Sequence, residues 1–169
     1  MPDRLSRRRR FAPLAVDVAG DVAVTMFARR GVNGEVWRDS HVLCLRRDAW
    51  RVLGGGSGSA ADNLLSERSS VQLDRLWMRT GSGGTNRDAG RLVPFPPPRW
   101  IRYVSLRVAA EVQVVDVAGR RRIVVPRHGT VCVVWGSRRP PTVTLLDADG
   151  DELERISAAA HADDRRRSQ

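Results

Sequence analysis

No lysine occurs anywhere in the 169 residues, so all 29 basic side chains are arginine. A GC-rich coding sequence produces that bias by itself, and the arginine count alone therefore assigns no guanidinium chemistry. Cysteine is scarce as well, at two residues, and a chain of this length buries enough surface to fold without disulfides or a structural metal. Cys44 and Cys132 each sit in an apolar run, 42–45 and 131–134, where a thiol behaves as a small buried hydrophobe. Free thiols and a cytoplasmic location are expected. No apolar run approaches the ~18 residues of a membrane helix, so the chain reads as soluble with no transmembrane segment. Ser6, Arg7, Arg8, Arg9, Arg10 and Phe11 resemble a twin-arginine export signal. The apolar stretch 12–16 is too short for its hydrophobic segment, and Asp17 and Asp21 interrupt the continuation.

Histidine is limited to His41, His128 and His161, and neither a Gly-x-Ser-x-Gly elbow nor a His-Glu-x-x-His motif is present. No catalytic residues are assigned, and a small enzyme assembled from distant residues is the least favoured of three functional readings. His41 with Cys44 and His128 with Cys132 supply four potential zinc ligands, the number a structural site needs. Positions 41 and 44 of one strand face opposite ways, so buried cysteines and loop histidines are expected instead of a metal site. Asp147, Asp149 and Asp151 alternate like calcium ligands, but Gly150 falls at the wrong position for an EF-hand, and a hairpin turn is the better reading. The run Gly54, Gly55, Gly56, Ser57, Gly58 lacks the Lys-Ser/Thr of a phosphate-binding loop and precedes no βαβ unit. No cofactor is expected.

What the chain does have is a 41% hydrophobic fraction, enough for a packed core, and a formal net charge of +10. Residues 1–10 and 157–169 carry half of that excess, as eight arginines against three acids, and read as charged, disordered tails around a single domain at 11–156. Within the domain, β-branched runs are separated at short intervals by turn signals, the pattern of antiparallel all-β folds. An N-terminal meander is expected over 13–53, with strands at 14–18, 22–29, 35–46 and 50–53 and a hairpin at Asn33-Gly34. A loop-rich middle, 54–99, follows. It contains two glycine-rich stretches, 54–59 and 81–86, read as flexible loops, a short helix at 60–68, an ambiguous segment at 71–78, and an extended entry at Pro94, Pro96, Pro97 and Pro98.

The C-terminal meander, 100–156, opens on the clearest local pattern. Val104, Leu106, Val108, Ala110, Val112 and Val114 alternate with more polar residues, which predicts one strand, or two in line, with one face on a core and one largely wet. Two β clusters joined by such a middle predict an antiparallel β-sandwich of two sheets, with an open β-barrel as the alternative and at most one short helix. If strands 112–117, 122–126, 130–135 and 142–147 pair in order, the turn after Gly119 and the loop after Ser137 lie at one end. Arg120, Arg121, Arg122, Arg138 and Arg139 then form a basic end, with Asp147, Asp149 and Asp151 near the other. Arg99, Trp100 and Arg102 add aromatic and guanidinium groups able to stack on bases. The function expected is a non-catalytic interaction module that binds an acidic protein surface. Sequence-nonspecific nucleic-acid binding through the same arginines is the alternative.

Overall fold

A computed structural model of the chain describes residues 4–68, 75–88 and 99–159. Eleven strands make up the described structure, all pairings are antiparallel, and no helix occurs among the described residues. The strands form three sheets, consistent with a β-sandwich. The first sheet is a meander of β1 (Phe11–Ala19), β2 (Val22–Arg30), β3 (Val36–Arg46) and β4 (Ala49–Ala60), in that order. β5 (Trp77–Asn86), β6 (Trp100–Val108) and β9 (Thr130–Trp135) form the second, in the order β5-β6-β9. The third places β11 (Glu152–Ser157), β10 (Thr142–Leu146), β7 (Val114–Val117) and β8 (Arg121–Val124) side by side in that order.

The two-sheet interface expected of a sandwich is thus made twice, with β6 and β9 in the middle. Ile101, Tyr103, Cys132 and Val134 project from them into a core shared with the first sheet, beside Val24, Met26 and Cys44. Val104, Leu106, Val108, Val131 and Val133 project from the opposite face into a second core with Val115, Val143 and Leu145 of the third sheet. The alternation at 104–108 is real, but the alternate face is not wet: Tyr103 and Ser105 are buried beneath the first sheet. The strand also stops at Val108, and a turn in which Val112 N donates to Ala109 O at 3.3 Å leads into β7. Both cysteines are free and fully buried.

Both glycine-rich stretches are strands, not loops. Residues 54–59 lie inside β4, paired residue by residue with β3, and residues 81–86 end β5 against β6. The backbone ladder supplies the order that glycine side chains cannot, offsetting the entropy cost of fixing them. In place of the expected helix at 60–68, single turns with Leu64 N on Ala61 O and Ser66 N on Asn63 O drop Leu64 and Leu65 into the first core. Of the ambiguous segment, Trp77 and Met78 begin β5, and 71–74 lie outside the described residues, as do all four prolines of the extended entry.

The hairpin expected at Asn33-Gly34 closes at Arg30 and Val36 as a longer loop in which Gly34 alone has positive φ, at 90°. Tight two-residue turns sit elsewhere, at Gly20-Asp21 between the paired Ala19 and Val22, and at Arg47 (φ 49°) and Asp48 (φ 63°) between the paired Arg46 and Ala49. Residues 4–10 run along the first sheet: Leu5 is buried in its core, and Arg10 Nε donates to Arg30 O at 3.1 Å. At the other terminus β11 reaches Ser157, and Ala158 is buried in the second core. No helix among the described residues is long and apolar enough to cross a membrane.

Candidate functional site: a basic, aromatic end

The C-terminal strands do not pair in chain order. β9 leaves the β7–β8 hairpin and joins β6, while β10 returns to the other side of β7. The basic end forms nevertheless, through different pairings. Val117, the last residue of β7, lies opposite Val143 near the start of β10, and Ala118 N donates to Thr142 O at 2.8 Å. Thr142 in turn lies opposite Ser157, and Ala158 N donates to Pro141 O at 3.0 Å. The turn bearing Arg120, the loop bearing Arg138 and Arg139, and the end of β11 therefore converge. β10 runs from this end to Asp147, whose carboxylate accepts from the N–H groups of Asp149 and Asp151 in the acidic turn at its far end.

Arg120, Arg122, Arg138 and Arg139 are exposed, and none makes an ion pair among the described residues. Asp116 lies opposite Arg122 in the ladder. Short β connections fix these arginines: positive φ at Ala118 (55°) and Gly119 (66°) shapes the first turn, and Ser137 Oγ donates to Arg139 O at 2.6 Å in the second.

Arg121 differs from its neighbours. Its Nη2 donates to Asp17 Oδ2 at 3.0 Å and to Val134 O at 3.1 Å, and its side chain is only 25% exposed. Asp17 is buried, and burial holds its carboxyl above the ordinary carboxylate range against the opposing pull of Val134 N–H and Arg121. The guanidinium is thus occupied inside the protein.

The remaining residues singled out from sequence, Arg99, Trp100 and Arg102, start β6 at the same end. Arg102 lies opposite Trp135, the last residue of β9, which leads directly into the loop of Arg138 and Arg139. Arg99 grips the Asp88 carboxylate through Nε at 3.2 Å and Nη2 at 3.1 Å, leaving less of it for a partner. Trp100 is 44% exposed. Together Arg79, Trp100, Arg102, Tyr103, Trp135 and Gly84 line a cleft of about 490 Å³, with no carboxylate in its lining among the described residues.

Arg79 and Trp135 were not visible as site residues in the sequence. Trp135 ends an apolar strand and reads as core, and only the register that sets it against Arg102 brings it to the cleft. It is almost fully buried, and its indole Nε1 has no hydrogen-bond partner among the described residues. Chemically, the end offers guanidinium donors, an exposed indole face and an open cleft, and the described residues contain no metal-ligand cluster. Compared with known proteins, the chain matches no family model, and no curated protein or solved structure resembles it at a significant level.

Proposed function

We propose that the protein is a non-catalytic binding module whose basic, aromatic end engages an acidic surface of a protein partner. The observation that carries this reading is the grouping of Arg120, Arg138 and Arg139 on short turns, with Arg122 on the adjoining strand β8, all exposed and without ion pairs among the described residues, beside the Trp100–Arg102 cleft. Arginines held in fixed geometry make bidentate contacts to carboxylates, which gives selectivity beyond net charge. A cytoplasmic setting, which keeps Cys44 and Cys132 as thiols, suits this role.

A second reading is favoured by Trp100. An exposed indole next to Arg102 is the combination on which single-stranded bases stack, and it supports sequence-nonspecific nucleic-acid binding by the same end. The two readings separate by competition. Binding of a poly-glutamate peptide is measured in the parent, in Arg138→Ala/Arg139→Ala and in Trp100→Ala, with unlabelled single-stranded DNA as competitor. The acidic-protein reading expects the double arginine variant to lose on the order of tenfold in affinity, with Trp100→Ala close to the parent and DNA competing poorly. Strong DNA competition, with the larger loss in Trp100→Ala and a salt slope falling by about 0.7 per arginine removed, supports the nucleic-acid reading instead.

A further inference from the structure

β4 and β5 are the edge strands of the first and second sheets, both are rich in glycine, and no strand pairs with the outer edge of either among the described residues. Between them lies a cavity of about 180 Å³ lined by Arg38, Ser40, Ser57, Ser82, Tyr103 and Ser105. It shares Tyr103 and Ser82 with the lining of the basic-end cleft but differs from it in chemistry, being built from one cation and a shell of hydroxyl groups.

Arg38 is half-buried, and its Nη2 donates to Thr80 O at 2.5 Å. No carboxylate among the described residues pairs with it: the adjacent Asp39 accepts from Arg29 Nε at 2.7 Å and from Ser57 Oγ at 2.5 Å. Burial pushes the Arg38 pKa down from its ordinary value, and the nearby Tyr103 offsets only part of that. A cation taken out of water in this way is best satisfied by an anion.

The hydroxyls can turn to donate. Tyr103 and Ser40 share one hydrogen bond, 2.8 Å between oxygens, while Ser40 Oγ donates to Gly56 O at 3.3 Å, so the phenol proton is released to an anion when Ser40 turns its own proton from Gly56 to Tyr103. Thr80 and Ser105 share another at 3.0 Å, with the same spare proton. The glycines clear the space these groups fill. A Cβ at Gly83 would come within 2.7 Å of the Tyr103 ring, and one at Gly81 within 3.1 Å of both Arg38 Nη2 and Ser105 Oγ.

We propose that this cavity is a binding site for a tetrahedral oxyanion, inorganic phosphate or the phosphoryl group of a monoester, held by the Arg38 guanidinium with Tyr103 and Ser105 hydroxyls as further donors. Donors converging from two sheets fit a tetrahedral anion, which presents oxygens in several directions. The proposal is independent of the partner chosen by the basic end.

The test measures binding of sodium phosphate and of glycerol phosphate by calorimetry and thermal melting, against sodium chloride at equal ionic strength and pH. Both are expected to bind the parent and raise its melting temperature above the chloride control. Arg38→Gln should weaken binding at least about tenfold, the size of one charge-assisted hydrogen bond. Tyr103→Phe should weaken it several-fold, and Arg138→Ala/Arg139→Ala should leave it unchanged. If Arg38→Gln does not fold, Tyr103→Phe combined with Ser105→Ala decides the matter on the same scale. Preference for one of the two probes tells a free ion from a phosphoryl group on a larger molecule. The proposal is overturned if neither probe binds the parent, if the cavity variants bind as well as the parent does, or if only the Arg138/Arg139 variant loses binding.

Discussion

Asp17 of β1 and Arg121 of β8 meet at the open edge of β9, where they satisfy both backbone groups of Val134. Asp17 Oδ2 accepts from Val134 N at 2.8 Å and from Arg121 Nη2 at 3.0 Å, while the same Nη2 donates to Val134 O at 3.1 Å. One residue from each sheet takes part, so the pair joins all three layers. Removing the cation leaves a buried carboxylate, and Arg121→Met should cost about 3 kcal/mol in urea unfolding at neutral pH. The pH dependence has a definite sign. The folded pKa of Asp17 is already raised, so its contribution to stability is fullest below the unfolded value and is lost as pH rises through the folded one. Taking away Arg121 raises the folded pKa further. The deficit of the variant should therefore shrink as pH falls from neutral into the acid range, and a deficit that grows on acidification would show that the pair is not buried as described.

His128 should make the protein acid-sensitive. Its Nδ1 accepts from Thr130 N at 3.1 Å, its Nε2 has no partner among the described residues, and burial reinforced by Arg107 and Arg68 lowers its pKa from 6.5 to about 4. A histidine with a depressed folded pKa contributes stability that is present above the unfolded value and lost as pH drops through the folded one. The loss should begin near pH 6.5 and reach about 3 kcal/mol by pH 4, from ~1.36 kcal/mol per unit. Comparing stability against pH for the parent and His128→Gln checks this, since the variant should show a flatter profile over that window.

The N-terminal segment should matter through one residue. Leu5 is 4% exposed in the first core, while Arg7, Arg8, Arg9 and Arg10 are exposed. Leu5→Ala is expected to cost about 2 kcal/mol, at the low end for a buried leucine because the site is peripheral. Replacing Arg7, Arg8 and Arg9 by serine should change stability by less than about 0.5 kcal/mol. Deleting residues 1–10 should match the Leu5→Ala cost in chemical denaturation; no change on deletion would mean that Leu5 contributes nothing to the core.

Strain at the tight turn of the β3–β4 hairpin offers a route to a stabler protein. Arg47 and Asp48 both occupy positive φ, at 49° and 63°, where side chains with a Cβ are disfavoured. Asn-Gly is the pair this turn type prefers. Arg47→Asn with Asp48→Gly should raise stability by about 1 kcal/mol, read as a shift of the urea midpoint without change in slope.

Strand positions were legible wherever burial on one face produced a period of two, as along Val104, Leu106 and Val108. The same pattern gives no sign of a second cover, and so Tyr103 and Ser105 read as solvent-facing when the first sheet lies over them. Pairing partners were less accessible still. Thr130 to Trp135 is apolar on both faces, which is compatible with a place beside β8 or beside β6, and only packing against two cores decides it. The grouping of Arg120, Arg122, Arg138 and Arg139 survived that error because β10 pairs with β7 at the same end. The separate fate of Arg121 depends on Asp17, 104 residues away in the chain, and no local pattern encodes such a contact. The glycine strands were misread for a related reason: composition records missing side chains, whereas their order comes from the ladders with β3 and β6.

The position of β9 also sets a timetable for synthesis. β1 to β4 are joined by short connections and can zip together as soon as they leave the ribosome, yet the apolar face they create is covered by side chains from β6 and β9. That face must wait until Trp135 has emerged, and during the interval the nascent meander presents Val24, Met26 and Val42 uncovered. Once β9 docks, one of its faces closes the first core, whereas the other begins a second core that closes only after Val143, Leu145 and Ile156 have followed it out, so the first half of the protein gains its tertiary structure ahead of the second.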